Sequence, residues 1–179
     1  MLQPIPTPLE SHSAASSLRE QYLEYGFLAG VCRVMWRRGE LMDVLRSHTD
    51  QSGYDLLLEA RGIQRHVQLK SSFLGAKTSR QKINTRLAAR PSGCIVWIRF
   101  DPTTLAEESF LWFGGVPGAP LPDLGARVAK HTKGNAEGIK TERADIRVVN
   151  KGTFETVNGF EALAVRLFGG DPPENPPSS

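Results

Sequence analysis

The chain has 179 residues, 40% of them hydrophobic and 23% charged, which suffices for one buried core without disulfides or metals to hold it together. No apolar run approaches the ~20 residues of a membrane span, and MLQPIPTPLESHSAASS lacks the basic start and apolar centre of a secretory leader, so the expectation is a cytoplasmic protein with no membrane partner. Cys32 and Cys94 have no metal-ligand spacing and read as buried free thiols.

Residues 1–16 are rich in Pro and Ser, and 169–179 (GGDPPENPPSS) cannot form a regular element, so a single domain is expected over 17–168 between flexible tails. Its first element is SLREQYLEYGFLAGVCRVMWRRGE. Serines cap it, Leu23, Phe27, Val31, Val34 and Met35 recur at helical spacing, and Gly39 ends it. LMDVLRSH at 41–48 alternates like a strand before TDQSG breaks it. YDLLLEA and RHVQLKSS follow as a hairpin around a short Arg-Gly turn. KTSRQKINTRLAAR carries Ile83, Leu87 and Ala88 on one helical face among basic residues and predicts a second helix over 77–90. CIVWIRF at 94–100 is the near-continuous apolar run of a central strand covered on both faces. FLWFGG at 110–115 predicts a further strand, DLGARVAKH a short helix, DIRVVNK a strand and FEALAVRLF a closing helix. A mixed sheet flanked by helices follows, a three-layer α/β/α sandwich.

Charge is distributed unevenly. From Arg61 to Phe100 there are nine Lys or Arg residues and no Asp or Glu, and a second basic stretch runs from Arg127 through Lys130, His131, Lys133 and Lys140 to Arg143. A run of this kind is ordinarily a solvated face, but forty residues without an acid predict a surface suited to a polyanion.

Side chains alternate across a strand, so His66, Gln68 and Lys70 project to one face and Val67 and Leu69 to the other. An edge strand with one wet side is the bland explanation. Against it stand Asp55 at the start of the hairpin partner, a carboxylate-bearing helix before and a basic segment after. Taken together, residues 18 to about 100 resemble the PD-(D/E)XK nuclease superfamily, the restriction-endonuclease-like fold. That family places an acid at the start of one hairpin strand, (Asp/Glu)-x-Lys on the next and often a Glu on the preceding helix. Gly53-Tyr54-Asp55 stands in the first place and Gln68-Leu69-Lys70 in the second, a Gln-x-Lys variant.

The resemblance implies a metal-dependent nuclease that hydrolyses DNA phosphodiesters through a water activated by Mg²⁺ or Mn²⁺. Asp55, Gln68 and Glu24 would hold the metal and Lys70 would orient the water. Gln68 keeps an amide oxygen but brings no charge, so a helix carboxylate must compensate: Glu24, on the stripe of Phe27 and Val31, with Glu20 in reserve. His66 would touch a phosphate or carry a proton. Lys77, Arg80, Lys82, Arg86, Lys130 and Lys133 are the expected nucleic-acid contacts, whereas Trp97 and Trp112, in apolar strands, read as core. Cutting both strands is compatible with a homodimer. Two other readings share the sequence: a nuclease-fold module that binds nucleic acid with weak or no catalysis because of Gln68, and a partner-binding domain with a solubilising basic face.

Overall fold

The computed structural model describes residues 16–48, 52–131 and 141–170. Helix α1 (Ser16–Arg37) buries Leu23, Phe27, Val31, Val34 and Met35, the stripe its spacing predicts. The same helix turns Leu18, Tyr22 and Tyr25 outward as an exposed apolar stripe that the sequence did not disclose. Strand β1 (Asp43–Arg46) then lies at the sheet edge, paired antiparallel to β2 (Leu56–Ala60). Strand β3 (Ile63–Phe73) returns antiparallel to β2. The connecting Arg61 and Gly62 both have positive φ, 57° and 72°, the geometry a two-residue hairpin of matching twist requires.

Strand β4 (Arg80–Asn84) and a short 3₁₀ helix (Thr85–Ala89) occupy the segment whose spacing predicted a helix. Ile83 and Leu87 satisfy helical spacing and are both buried, but β4 finds a strand partner far along the chain, and the Asn84 side chain accepts the Arg86 amide to start the 3₁₀ turn. Tertiary pairing overrides local preference there. Strand β5 (Gly93–Phe100) is buried along its whole length, parallel to β3 and antiparallel to β6 (Glu107–Gly114). Instead of the short helix expected after it, Asp123 accepts the Gly125 amide in a turn, and the chain goes on to strand β7 (Val128–Lys130). Strands β8 (Glu142–Asn150) and β9 (Glu155–Val157) precede α2 (Gly159–Phe168).

The fold is α/β. A six-stranded mixed sheet has the order β1-β2-β3-β5-β6-β9, and a three-stranded antiparallel sheet the order β4-β8-β7. The two helices share one core cluster with Leu56, Leu58, Val67, Val96, Ile98 and Phe100. On the other side, Ile95 and Trp97 join Ile83, Leu87, Val149 and Phe154 in a second cluster. Both faces of β5 are therefore covered, as its unbroken apolar run requires. Trp97 and Trp112 are buried core residues, as expected. Cys94 is buried, whereas Cys32 is exposed, because the helical turn that buries Val31 and Val34 carries position 32 outward. Among the described residues no helix is long and apolar enough to cross a membrane.

A glycine on α1 lets α2 approach. A Cβ at Gly30 would stand 2.2 Å from ring carbons of Phe160 on α2, so the helices meet over a position with no side chain. The far end of α2 is held by Arg65 of β3, which is fully buried. Its Nε donates to the Leu167 carbonyl at 2.6 Å, and its Nη2 to those of Arg166 and Gly115 at 2.7 and 2.9 Å. The guanidinium also lies over the Trp112 ring. A cation at the carboxyl end of a helix meets the negative end of its dipole.

Candidate active site

The site originates where the hairpin stops short. Pairing of β3 with β2 runs only as far as Val67, while its pairing with β5 continues to Phe73. Asp55, immediately before β2, bridges the discontinuity. Its amide donates to the Val67 carbonyl at 2.9 Å, and its Oδ2 accepts the Leu69 amide at 2.6 Å. A carboxylate thus takes the place of a ladder carbonyl. Ser47 adds a third tie by donating its amide to the Asp55 carbonyl at 2.8 Å.

Around this point opens a cleft of about 520 Å³ lined by Glu20 and Glu24 of α1, Arg46 of β1, Asp55, Lys70 and Ser71 of the hairpin, and Gln81 of β4. Asp55, Lys70 and Glu24 come together as the sequence predicts. Glu24 is 22% exposed, and its Oε1 accepts the Arg46 Nε–H at 2.5 Å. That hydrogen bond raises the Arg46 pKa further above its ordinary value, and the guanidinium also lies over the Tyr25 ring. Glu20 lines the cleft with a more exposed side chain, 4.0 Å from Arg19.

The other two polar residues of the strand face do not line it. Gln68 is buried, and its Oε1 has no hydrogen-bond partner among the described residues. Its position is one step beyond the last β2–β3 pair, Leu56 with Val67, which puts it opposite Asp55 in register. His66 lines neither this cleft nor the groove beside it. Its Nδ1–H donates to the Pro91 carbonyl at 2.7 Å, and its ring packs against the Tyr54 ring, so it anchors the turn that leads into Asp55.

A second cavity, of about 570 Å³, adjoins the first and shares Lys70 and Gln81 with it. Arg80, Lys82, Arg127 and Lys130 line it, and among the described residues no Asp or Glu does. Of the expected nucleic-acid contacts, Arg80, Lys82 and Lys130 meet here. Lys77 and Arg86 are exposed and line neither cavity, because the segment carrying them is not the helix that would have aligned them. Lys133 lies outside the described residues.

Arg46 and Gln81 are the site residues that the sequence reading missed. Arg46 had a usable signal: successive strands that pair antiparallel bring the end of β1 beside the start of β2, hence beside Asp55. Gln81 had none, because its place depends on the pairing of β4 with β8. Among the described residues no three His, Cys, Asp or Glu side chains form a group that could hold a metal by themselves. Compared with protein-family models, curated proteins and solved structures, the chain matches none.

Proposed function

We propose that the protein is a metal-dependent nuclease of the PD-(D/E)XK type that hydrolyses DNA phosphodiesters. The observation that carries this reading is the junction at Lys70: a cleft walled by Asp55 and Glu24 adjoins a groove that, among the described residues, is lined by cations and by no acid. Carboxylates beside a polyanion track are the division of labour that phosphodiester hydrolysis requires. The order of helix, hairpin and parallel strand supports a restriction-endonuclease-like reading of the fold. So does a sheet covered on both sides, although here the second cover is a small sheet with a 3₁₀ turn in place of a helix.

The donors fit a hard cation in kind. Of the expected ligands, Asp55 and Glu24 line the cleft and offer oxygen alone, whereas the buried Gln68 amide lies outside its lining. Mg²⁺ binds through one or two carboxylates and keeps several waters, so it does not need a cage of three acids. Bound there, it would polarise the phosphate and acidify a water. The chain's own contribution is separable. The Leu69 amide fixes the Asp55 carboxylate, Arg46 orients Glu24, and Lys70 presents an ammonium group to an anionic substrate at the mouth of the groove.

Gln68 favours a second reading, a binding module with the same groove and little catalysis. Supercoiled plasmid incubated with Mg²⁺ or Mn²⁺ separates the two. Cleavage that EDTA stops and Asp55→Asn abolishes supports the nuclease. Retained DNA binding with no cleavage under either metal establishes the module.

A further inference from the structure

The groove on the three-stranded sheet specifies a partner more narrowly than its charge alone. We infer that it seats the phosphate backbone of double-stranded DNA and does so without reading base sequence. This deepens the nuclease reading and rests on it for the link between groove and cleft.

Three observations converge. First, the cations come from separate segments and meet in one cavity: Lys70 from β3, Arg80 and Lys82 from β4, Arg127 just before β7, and Lys130 at its end. Arg80 and Lys82 share one side of β4, opposite the buried Ile83, so the sheet displays them as a row and does not scatter them. Second, among the described residues no Asp or Glu lines the cavity. Third, among the described residues no aromatic side chain lines it either; its apolar surface is Val128, Ala129 and Val148. Proteins that hold single strands pair a basic groove with aromatic platforms on which unstacked bases lie. A groove with charge and no platform can engage phosphates only, and a duplex presents phosphates outward while its bases stay stacked. Gln81 is the one neutral amide in the lining among the described residues, and it belongs to the cleft as well.

The test is fluorescence anisotropy in EDTA, where no cleavage is read. The probes are two duplexes of unrelated sequence and the single strands of each, over a salt series. The two duplexes are expected to bind within about threefold of one another and each single strand about tenfold more weakly. The double substitution Arg80→Glu/Lys82→Glu should weaken duplex binding at least about tenfold and reduce the salt slope by about two. Arg127→Ala/Lys130→Ala, on a different strand, provides the same test should the first pair disturb folding, which a thermal melt detects. Arg33→Ala, on the exposed side of α1 and outside both cavities, should leave binding at the wild-type level. Single strands binding as tightly as duplexes, a preference above about tenfold for one duplex, or wild-type binding by both groove variants would overturn the inference. Since binding is measured without metal, an inactive protein leaves the groove assignment standing. A protein that cuts DNA but binds unchanged through the variants loses the groove assignment alone.

Discussion

Arg65 and Lys70 lie on one strand, within a few residues of each other, and their surroundings differ in every respect. Arg65 is at the hairpin end of β3, opposite Leu58 of β2 and one residue before the pairing with β5 begins, fully buried and bonded to three backbone carbonyls. Lys70 is at the end that β2 no longer covers, half-buried, lining both cavities. Burial lowers the Arg65 pKa, yet a guanidinium stays charged, so its desolvation must be met by fixed dipoles. The difference teaches that what packs over a strand residue, not residue type, decides which cation of a strand serves structure and which faces a cavity.

The largest expected effect distinguishes the two ends directly. Lys70→Ala should lower the metal-dependent cleavage rate by about 10²–10⁴-fold, the range for removing a group that acts on proton transfer or developing charge, while leaving the thermal midpoint nearly unchanged. Arg65→Ala should do the reverse. It orphans buried carbonyls and opens a void against Trp112, a loss of about 3–5 kcal/mol measurable by urea denaturation, with the turnover of the remaining folded protein unaffected. If Lys70→Ala unfolded the protein as readily, the contrast between the two ends would collapse.

A smaller effect tests the same helix from its other end. Gly30→Ala forces a Cβ into the Phe160 ring, whose position is fixed by core packing, and should destabilise by about 1–3 kcal/mol in the same assay. The smallest effect is a pH dependence beside Arg65. Burial pushes the Cys94 thiol from its ordinary value of 9.0 up to about 12, with the Arg65 charge pulling slightly the other way. The unfolded chain can ionise this thiol where the folded one cannot. Stability from this group is therefore fully present below about pH 9 and falls as pH rises toward 12. Cys94→Ala should flatten that part of a stability-against-pH curve. At neutral pH a thiol reagent should label Cys32 alone until the protein is unfolded.

How much of this the sequence disclosed depended on the range of the forces involved. The α1 stripe, the hairpin and the apolar run of β5 are local patterns, and each was legible. Asp55 and Lys70 were legible too, since strand alternation and a short turn suffice to place them near one another. Residues 77–90 were misread because Ile83 and Leu87 suit a helix as well as they suit β4 and its 3₁₀ turn, and only β8 decides between the two. Gln68 shows the same limit within the site. Alternation gives its face correctly, but its burial depends on what β4 and the 3₁₀ turn bring over that face.

The carbonyls that hold Arg65 set a lower bound on the size of the folding unit. The family resemblance spans residues 18 to about 100, which invites the view that this segment is a self-sufficient catalytic core. Yet a cation inside that segment depends on oxygens from Gly115, Arg166 and Leu167. A fragment ending near residue 100 would carry a guanidinium stripped of its partners and a sheet face stripped of α2. The closing helix is thus a cofolding partner of the hairpin, and truncation before Gly159 should yield an unfolded chain rather than a minimal enzyme.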